Sequence, residues 1–294
     1  MSTRTAICAV CLAALAAAVP SPVHARWIEG GTAVCTAAND QNSHVIVSDG
    51  SGGAFMAWRD DRTTWHVYVQ HVDAYGYPQW DPGGVRVTDL IYLEYNPALV
   101  PDGDGGVIVA FSRSGPSWDI YAQRLDSGGT ALWGSSGVVV SASSGVETEP
   151  VACTDMAGGA IIAWTDYVDG DYDVFAQRID AAGAVQWGSS GIALCTVANN
   201  QQSPDIAPDG MGGAYVCWTD FRVDSDIYVN RVLPDGTPVN AGSGIAVCTS
   251  SGVQNHQEMI PDGAGGALLT WQDTRSGYYD IYAQRIYFDC TSLW

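Results

Sequence analysis

The 294-residue chain contains no lysine, so its 12 basic side chains are all arginine, set against 32 aspartates and glutamates for a net charge of −20. A chain this acidic is repelled by phosphate backbones and anionic lipid, which excludes nucleic acid as a natural partner. No segment reaches the roughly 20 uninterrupted apolar residues that a membrane helix needs, so no membrane insertion is expected. A nucleophile elbow, a phosphate-cradling glycine loop and a His/Cys metal spacing are also missing. His44, His66, His71 and His256 are scattered and suggest no metal cluster.

The longest apolar stretch, Ala6 to Val19, follows Arg4 and precedes Val23-His24-Ala25. That is the pattern of a secretory signal peptide, residues 1–25, cut after Ala25. It places residues 26–294 outside the cytoplasm, secreted or on the cell surface. Six cysteines follow the cut, and sequence alone leaves about 15 pairings open. Cys35, Cys195 and Cys248 share one position relative to the repeat described next, where a small buried apolar side chain serves as well as a disulfide.

Alignment on Asp49, Asp102, Asp155, Asp209 and Asp262 gives spacings of 53, 53, 54 and 53 residues. Such a period marks a repeat architecture. Each copy carries a Gly-Gly pair, then an apolar run ending in Trp58, Phe111, Trp164, Trp218 or Trp271, then a strand of the type DIYAQR at 119–124 and 280–285. A turn with Asp and Gly comes next, then a short apolar strand such as GIALCT at 191–196. The second segment is apolar on both faces and belongs mid-sheet, while the third alternates as a half-buried strand does. Four antiparallel strands per copy is the content of one propeller blade, and radial packing of blades removes exposed sheet edges. The last copy stops after its third strand, and WIEGGTAVCT at 27–36 matches the fourth-strand text WGSSGIALCT at 187–196. The expected fold is therefore all-β: one five-bladed β-propeller domain over 26–294, a monomeric ring closed by its N-terminal strand.

The pattern DGxGGxxxxW…DIYAQRxDxxGxxxW resembles the repeats of secreted and cell-surface bacterial propeller proteins, and the resemblance spans residues 27–289. It implies the fold and says almost nothing of activity, since propellers host many unrelated functions.

Candidate residues concentrate on the face that carries the variable loops. Trp65, Trp118, Tyr172 and Tyr279 stand just before the third strands, either packed between blades or offered as flat platforms for sugar rings. Asp60, Asp166, Asp220 and Asp273 end the second strands, with Arg62, Arg222 and Arg275 two residues beyond three of them, which reads as ion pairing before ligand binding. Asp169, Asp171 and Asp173 alternate in the loop VDGDYD. They are oxygen donors of the kind Ca2+ takes, although Val174 replaces the glycine of an EF-hand loop; a solvated acidic loop is the alternative. Entering the first strands, Gln41, Glu94, Glu147, Gln201 and Gln254 form one column and Ser43, Asn96, Glu149, Ser203 and His256 another. Glu94, Glu147 and Glu149 are the carboxylates that a glycosidase would need at the channel mouth; the alternative for this column is backbone satisfaction where strands crowd. Multiplicity without a unique catalytic constellation points first to a non-enzymatic binding module for an extracellular glycan or a surface protein. A glycoside hydrolase and a structural, protein-interacting propeller are the alternatives.

Overall fold

The structure, a computed structural model, describes residues 30–294, so the expected signal peptide and residues 27–29 of the N-terminal strand segment lie outside the described residues. Among the described residues there are nineteen β-strands and no α-helix. Each sequence repeat folds into one antiparallel meander. The first unit is β1 (Gln41–Ser48), β2 (Ala54–Asp60), β3 (His66–Val72) and β4 (Val85–Arg86). The second is β5 (Glu94–Pro101), β6 (Val107–Ser114), β7 (Trp118–Leu125) and β8 (Val138–Ser141). The third is β9 (Val146–Thr154), β10 (Ala160–Val168), β11 (Asp171–Ile179) and β12 (Ile192–Cys195). The fourth is β13 (Gln201–Pro208), β14 (Ala214–Asp220), β15 (Asp226–Val232) and β16 (Ile245–Cys248). The fifth has three strands, β17 (Gln254–Pro261), β18 (Ala267–Asp273) and β19 (Asp280–Ile286).

The repeated residues explain the repeated geometry. Asp209 closes the turn between β13 and β14 by accepting the Met211 and Gly213 amides at 2.7 and 2.9 Å. Gly213 is required there because a Cβ would collide with the Val232 carbonyl oxygen. The other oxygen of Asp209 takes Arg231, the last residue of the DIYVNR motif, at 2.7 Å. The same pairing joins Asp102 to Arg124, Asp155 to Arg178 and Asp262 to Arg285, and His71 takes the place of the arginine at Asp49. The motif arginines thus bind the turn aspartates at the lower ends of the units. Successive units are joined by the turn tryptophans: the indole N–H groups of Trp80, Trp133 and Trp187 donate to Ser127, Ala181 and Pro234 of the next unit at 2.9, 3.3 and 3.2 Å. Four apolar cores fill the four spaces between consecutive units. The first strands β1, β5, β9, β13 and β17 pack side by side in order, so they line the inside of a propeller-type array.

The array does not close as the sequence suggests. Among the described residues, β17 does not pack on β1 as the other first strands pack on one another, and no sheet joins the fifth unit to the first. Ile46 is 64% exposed whereas its counterpart Leu99 is 9% exposed, and Ile281 is 72% exposed whereas its counterpart Ile227 is fully buried. Residues 30–40 form no strand, and β19 keeps a free edge. The expectation of an N-terminal strand paired into the last unit is therefore corrected. Cys35 is held on the first unit by the Arg62 guanidinium at 3.3 Å, as Cys195 is held by Arg222 at 3.5 Å. That contact does not decide closure, because Cys195 on β12 and Cys248 on β16 are held by the next unit's arginine while their strands pair with the preceding unit. All six cysteines among the described residues are free thiols.

Candidate functional site

The upper face carries the starts of the first and third strands and the ends of the second. Here the structure separates the sequence candidates into buried fasteners and exposed groups. Glu94 and Glu147 are fully buried and do not face a channel mouth. Glu94 accepts the Val67 amide of the preceding unit at 2.9 Å and the Thr88 hydroxyl. Glu147 accepts the Ile120 amide at 3.1 Å, the Ser141 hydroxyl at 2.6 Å and the Ser143 amide at 3.3 Å. Both are staples between units. Where the preceding fourth strand ends in Thr88 or Ser141 the column holds a glutamate, and where that position is Cys35, Cys195 or Cys248 it holds glutamine. Gln201 instead ties down its own loop through the Val197 and Asn199 carbonyls. Burial pushes Glu147 up to about 7 and raises Glu94, whose shift Arg86 and Arg113 oppose.

Asp60, Asp220 and Asp273 are also buried rather than offered to a ligand. Each takes an indole N–H from the tryptophan two residues before it, Trp58 at 2.8, Trp218 at 2.9 and Trp271 at 3.1 Å, and each pairs with Arg62, Arg222 or Arg275. Burial alone would raise Asp60 and Asp273, but these bonds outweigh it and hold both carboxyls below the usual range. Asp166 is buried without an arginine. Trp65 and Trp118 are half-buried in a stack between the first two units. The Arg59 guanidinium lies 3.7 Å from the rings of both Trp65 and Tyr95, and Tyr95 meets Trp118 at 5.0 Å. Tyr172 packs on Tyr167 at 4.9 Å, and Tyr279 is exposed. Asp169, Asp171 and Asp173 do not converge on a point. Asp169 sits in the hairpin turn, Asp171 accepts the Asn199 amide at 2.8 Å, and Asp173 is buried. No metal-holding group of acidic, histidine or cysteine side chains occurs among the described residues.

The exposed polar groups of this face lie on the inner strands. Ser43, Asn96, Glu149, Ser203 and His256 all adopt a left-handed backbone, with φ between 51° and 55°, at a β-bulge in the pairing of each first strand. Non-glycine residues in this region carry about 1–3 kcal/mol of strain, held by the surrounding structure and frequent at working sites. Neighbouring bulges are tied together: Asn96 donates to Thr148 at 3.2 Å, the Ser203 amide to Glu149 at 3.3 Å, and the Gln257 amide group to the Ser203 carbonyl.

Two residues after each bulge the column reads Val45, Ala98, Val151, Asp205 and Glu258. Asp205 and Glu258 therefore break an apolar position on adjacent inner strands, and both line a cavity of about 410 Å³ with Ser203, Phe221 and His256. Asp205 accepts the Ile206 amide at 2.9 Å and the Met259 amide at 2.5 Å. Burial, with a smaller push from Glu258, nevertheless raises its carboxyl to about 6. Glu258 is exposed at the cavity wall. Of the sequence-predicted carboxylates only Glu149 touches this group, through Ser203. Asp205 and Glu258 were missed, although the signal was present as two acids in an otherwise apolar column.

No protein-family model matches the chain, and no curated protein matches it. Among solved structures it is similar to a protein of unknown function from Dyadobacter fermentans DSM 18053, at 11% identity and a TM-score of 0.55 over 88% of this chain and 82% of that one. The endo-arabinase of Bacteroides thetaiotaomicron VPI-5482 has 12% identity and a TM-score of 0.48 over 85% of this chain and 95% of its own. The α-L-arabinanase of Penicillium chrysogenum has 13% identity and a TM-score of 0.48 over 82% and 77%. The first is a likeness of fold alone, and the two enzymes are too distant to say what this chain does.

Proposed function

We propose that the chain is an exported, carbohydrate-active five-bladed propeller that cleaves glycosidic bonds in the inner cavity between β13 and β17. The observation that carries this reading is the pairing of Asp205 and Glu258 in one cavity, in different environments. Two carboxyl groups flanking a scissile bond, one protonated and one ionised, are the requirement for glycoside hydrolysis. Asp205, raised to about 6, supplies the proton to the leaving oxygen. Glu258 meets the anomeric carbon, directly or through an activated water. Glu149 and His256 flank the pair as hydrogen-bonding groups for sugar hydroxyls. The ring closes in solution by packing the exposed Ile46 and Ile281 faces together, since every equivalent face between units is buried.

The test is release of reducing sugar from a polysaccharide panel by residues 26–294, with Asp205→Asn and Glu258→Gln as variants. Loss of about 10²–10⁴ in rate in each variant, with glycan binding retained, is the expected result. Wild-type rates preserved in both variants would sink the assignment. A second reading, binding without turnover, draws on the exposed aromatics Phe221, Tyr278 and Tyr279 of the same face. It is distinguished by saturable glycan binding in a wild-type protein that releases no sugar from any substrate.

A further inference from the structure

Four of the five units seat a guanidinium at one equivalent place on the upper face. Arg62, Arg222 and Arg275 reach it from the residue two beyond the second strand, and Arg113 reaches it from β6 itself. Each lies over a ring of the third strand, Tyr68, Tyr121, Tyr228 or Tyr282, at 3.8, 3.1, 3.9 and 3.9 Å. Arg62 and Arg222 also donate to the Gly83 and Ser243 carbonyls at 2.7 Å, and Arg113 to the Ser136 carbonyl at 3.3 Å.

The third unit carries the matching residues and lacks the arginine, and Ser143 and Gly145 of the preceding loop lie against its aspartate. Its aspartate is Asp166, its tryptophan Trp164, its ring Phe175 and its carbonyl Ser190, while Val168 stands where Arg62, Arg222 and Arg275 stand. Two buried atoms are left without a hydrogen-bond partner, Asp166 Oδ1 and Trp164 Nε1, on residues 2% and 0% exposed. In the first, fourth and fifth units these atoms are satisfied together: the guanidinium fixes the carboxylate, and the fixed carboxylate accepts the indole N–H. Asp166 is paired directly with Glu147 on one side and Asp173 on the other. The corresponding row in the second unit is Glu94, Arg113, Asp119, which is balanced by its cation. Three buried carboxyl groups stand in a row with no cation between them, and burial disfavours the ionised form of each, so a cation seated there would offset that cost. An aromatic face beneath a carboxylate suits a planar, weakly hydrated cation with several N–H donors.

We propose that this seat in the third unit binds a guanidinium group from outside the chain, which takes the place that arginine fills in the other units. Binding turns Asp166 into the position of Asp220, so that one oxygen takes the ligand and the other takes Trp164 Nε1. The proposal is independent of the glycosidase reading, since the seat lies in a different unit from Asp205 and Glu258.

The experiment is calorimetric titration of methylguanidinium chloride into residues 26–294 in matched sodium chloride, with Asp166→Asn and Val168→Arg as variants. Saturable single-site binding to the wild type, lost in both variants, is the expected result. Val168→Arg should also raise the unfolding midpoint, because it supplies the missing cation internally. If Asp166→Asn does not fold, Val168→Arg decides. A wild type without saturable binding, or binding that survives in Val168→Arg, overturns the proposal. So does saturation by calcium chloride in place of methylguanidinium, which would make the seat a metal site. A Gly-Arg-Gly peptide binding more tightly than methylguanidinium identifies a polypeptide arginine as the source, and equal affinities identify a small guanidinium compound; either supports the assignment.

Discussion

Glu147→Gln is expected to stabilise the protein, and only at neutral to alkaline pH. Glu147 is fully buried between the second and third units and accepts bonds from Ile120, Ser141 and Ser143. Its ionised form is disfavoured first by burial, with Asp166 adding to the effect, and the carboxyl titrates at about 7 rather than 4.5. The native state therefore holds this proton more tightly than the unfolded state does. Stability contributed by protonated Glu147 is present below pH 4.5 and is lost as pH rises from there through about 7. At about 1.4 kcal/mol per unit, the raised carboxyl costs on the order of 3 kcal/mol at pH 8. Glutamine removes the charge and keeps one acceptor oxygen for the Ile120 amide, while its NH2 group turns to the Ser141 hydroxyl, which can accept. Urea unfolding followed by tryptophan fluorescence at pH 5 and pH 8 measures the effect. A gain of about 2–3 kcal/mol at pH 8, shrinking toward zero at pH 5, is the expected outcome. A difference independent of pH, or a variant less stable at pH 8, would refute the reasoning. Glu94→Gln should show the same sign with a smaller amplitude, because Arg86 and Arg113 favour the ionised form of Glu94.

Arg222→Ala should lower stability by about 3–5 kcal/mol in the same assay, since it leaves Asp220 buried without its cation; a loss under 1 kcal/mol would show that water replaces the guanidinium. Ile281→Ser tests ring closure: a loss of about 1.5–3 kcal/mol, comparable to that of the buried control Ile227→Ser, is expected of a closed ring, and a surface-like change under about 0.5 kcal/mol would indicate that the fifth unit stays open. Glycosidase activity should fall as pH rises through about 6, where Asp205 loses its proton; an alkaline limb unchanged in Asp205→Glu would remove Asp205 as the acid.

The sequence by itself determined the elements and their order. A 53-residue period with an Asp-turn, a Gly-Gly pair, an apolar second strand and an amphipathic third strand permits one meander per copy, because these features act within about 30 residues of one another. The motif arginines and the turn aspartates were legible for the same reason, although only the fold showed that Arg231 pairs with Asp209. What the tertiary structure decided is everything that lies between units. The column of Gln41, Glu94, Glu147, Gln201 and Gln254 reads as a polar ring in sequence, but packing turns its two glutamates back onto the preceding unit and buries them. Asp205 and Glu258 stand 53 residues apart and meet because β13 and β17 are neighbours in space. The end of the array was the least legible part. Whether the segment around Cys35 also pairs with β19 depends on the contact between units one and five, and that contact is made by faces whose local sequence is the same whether they are covered or not.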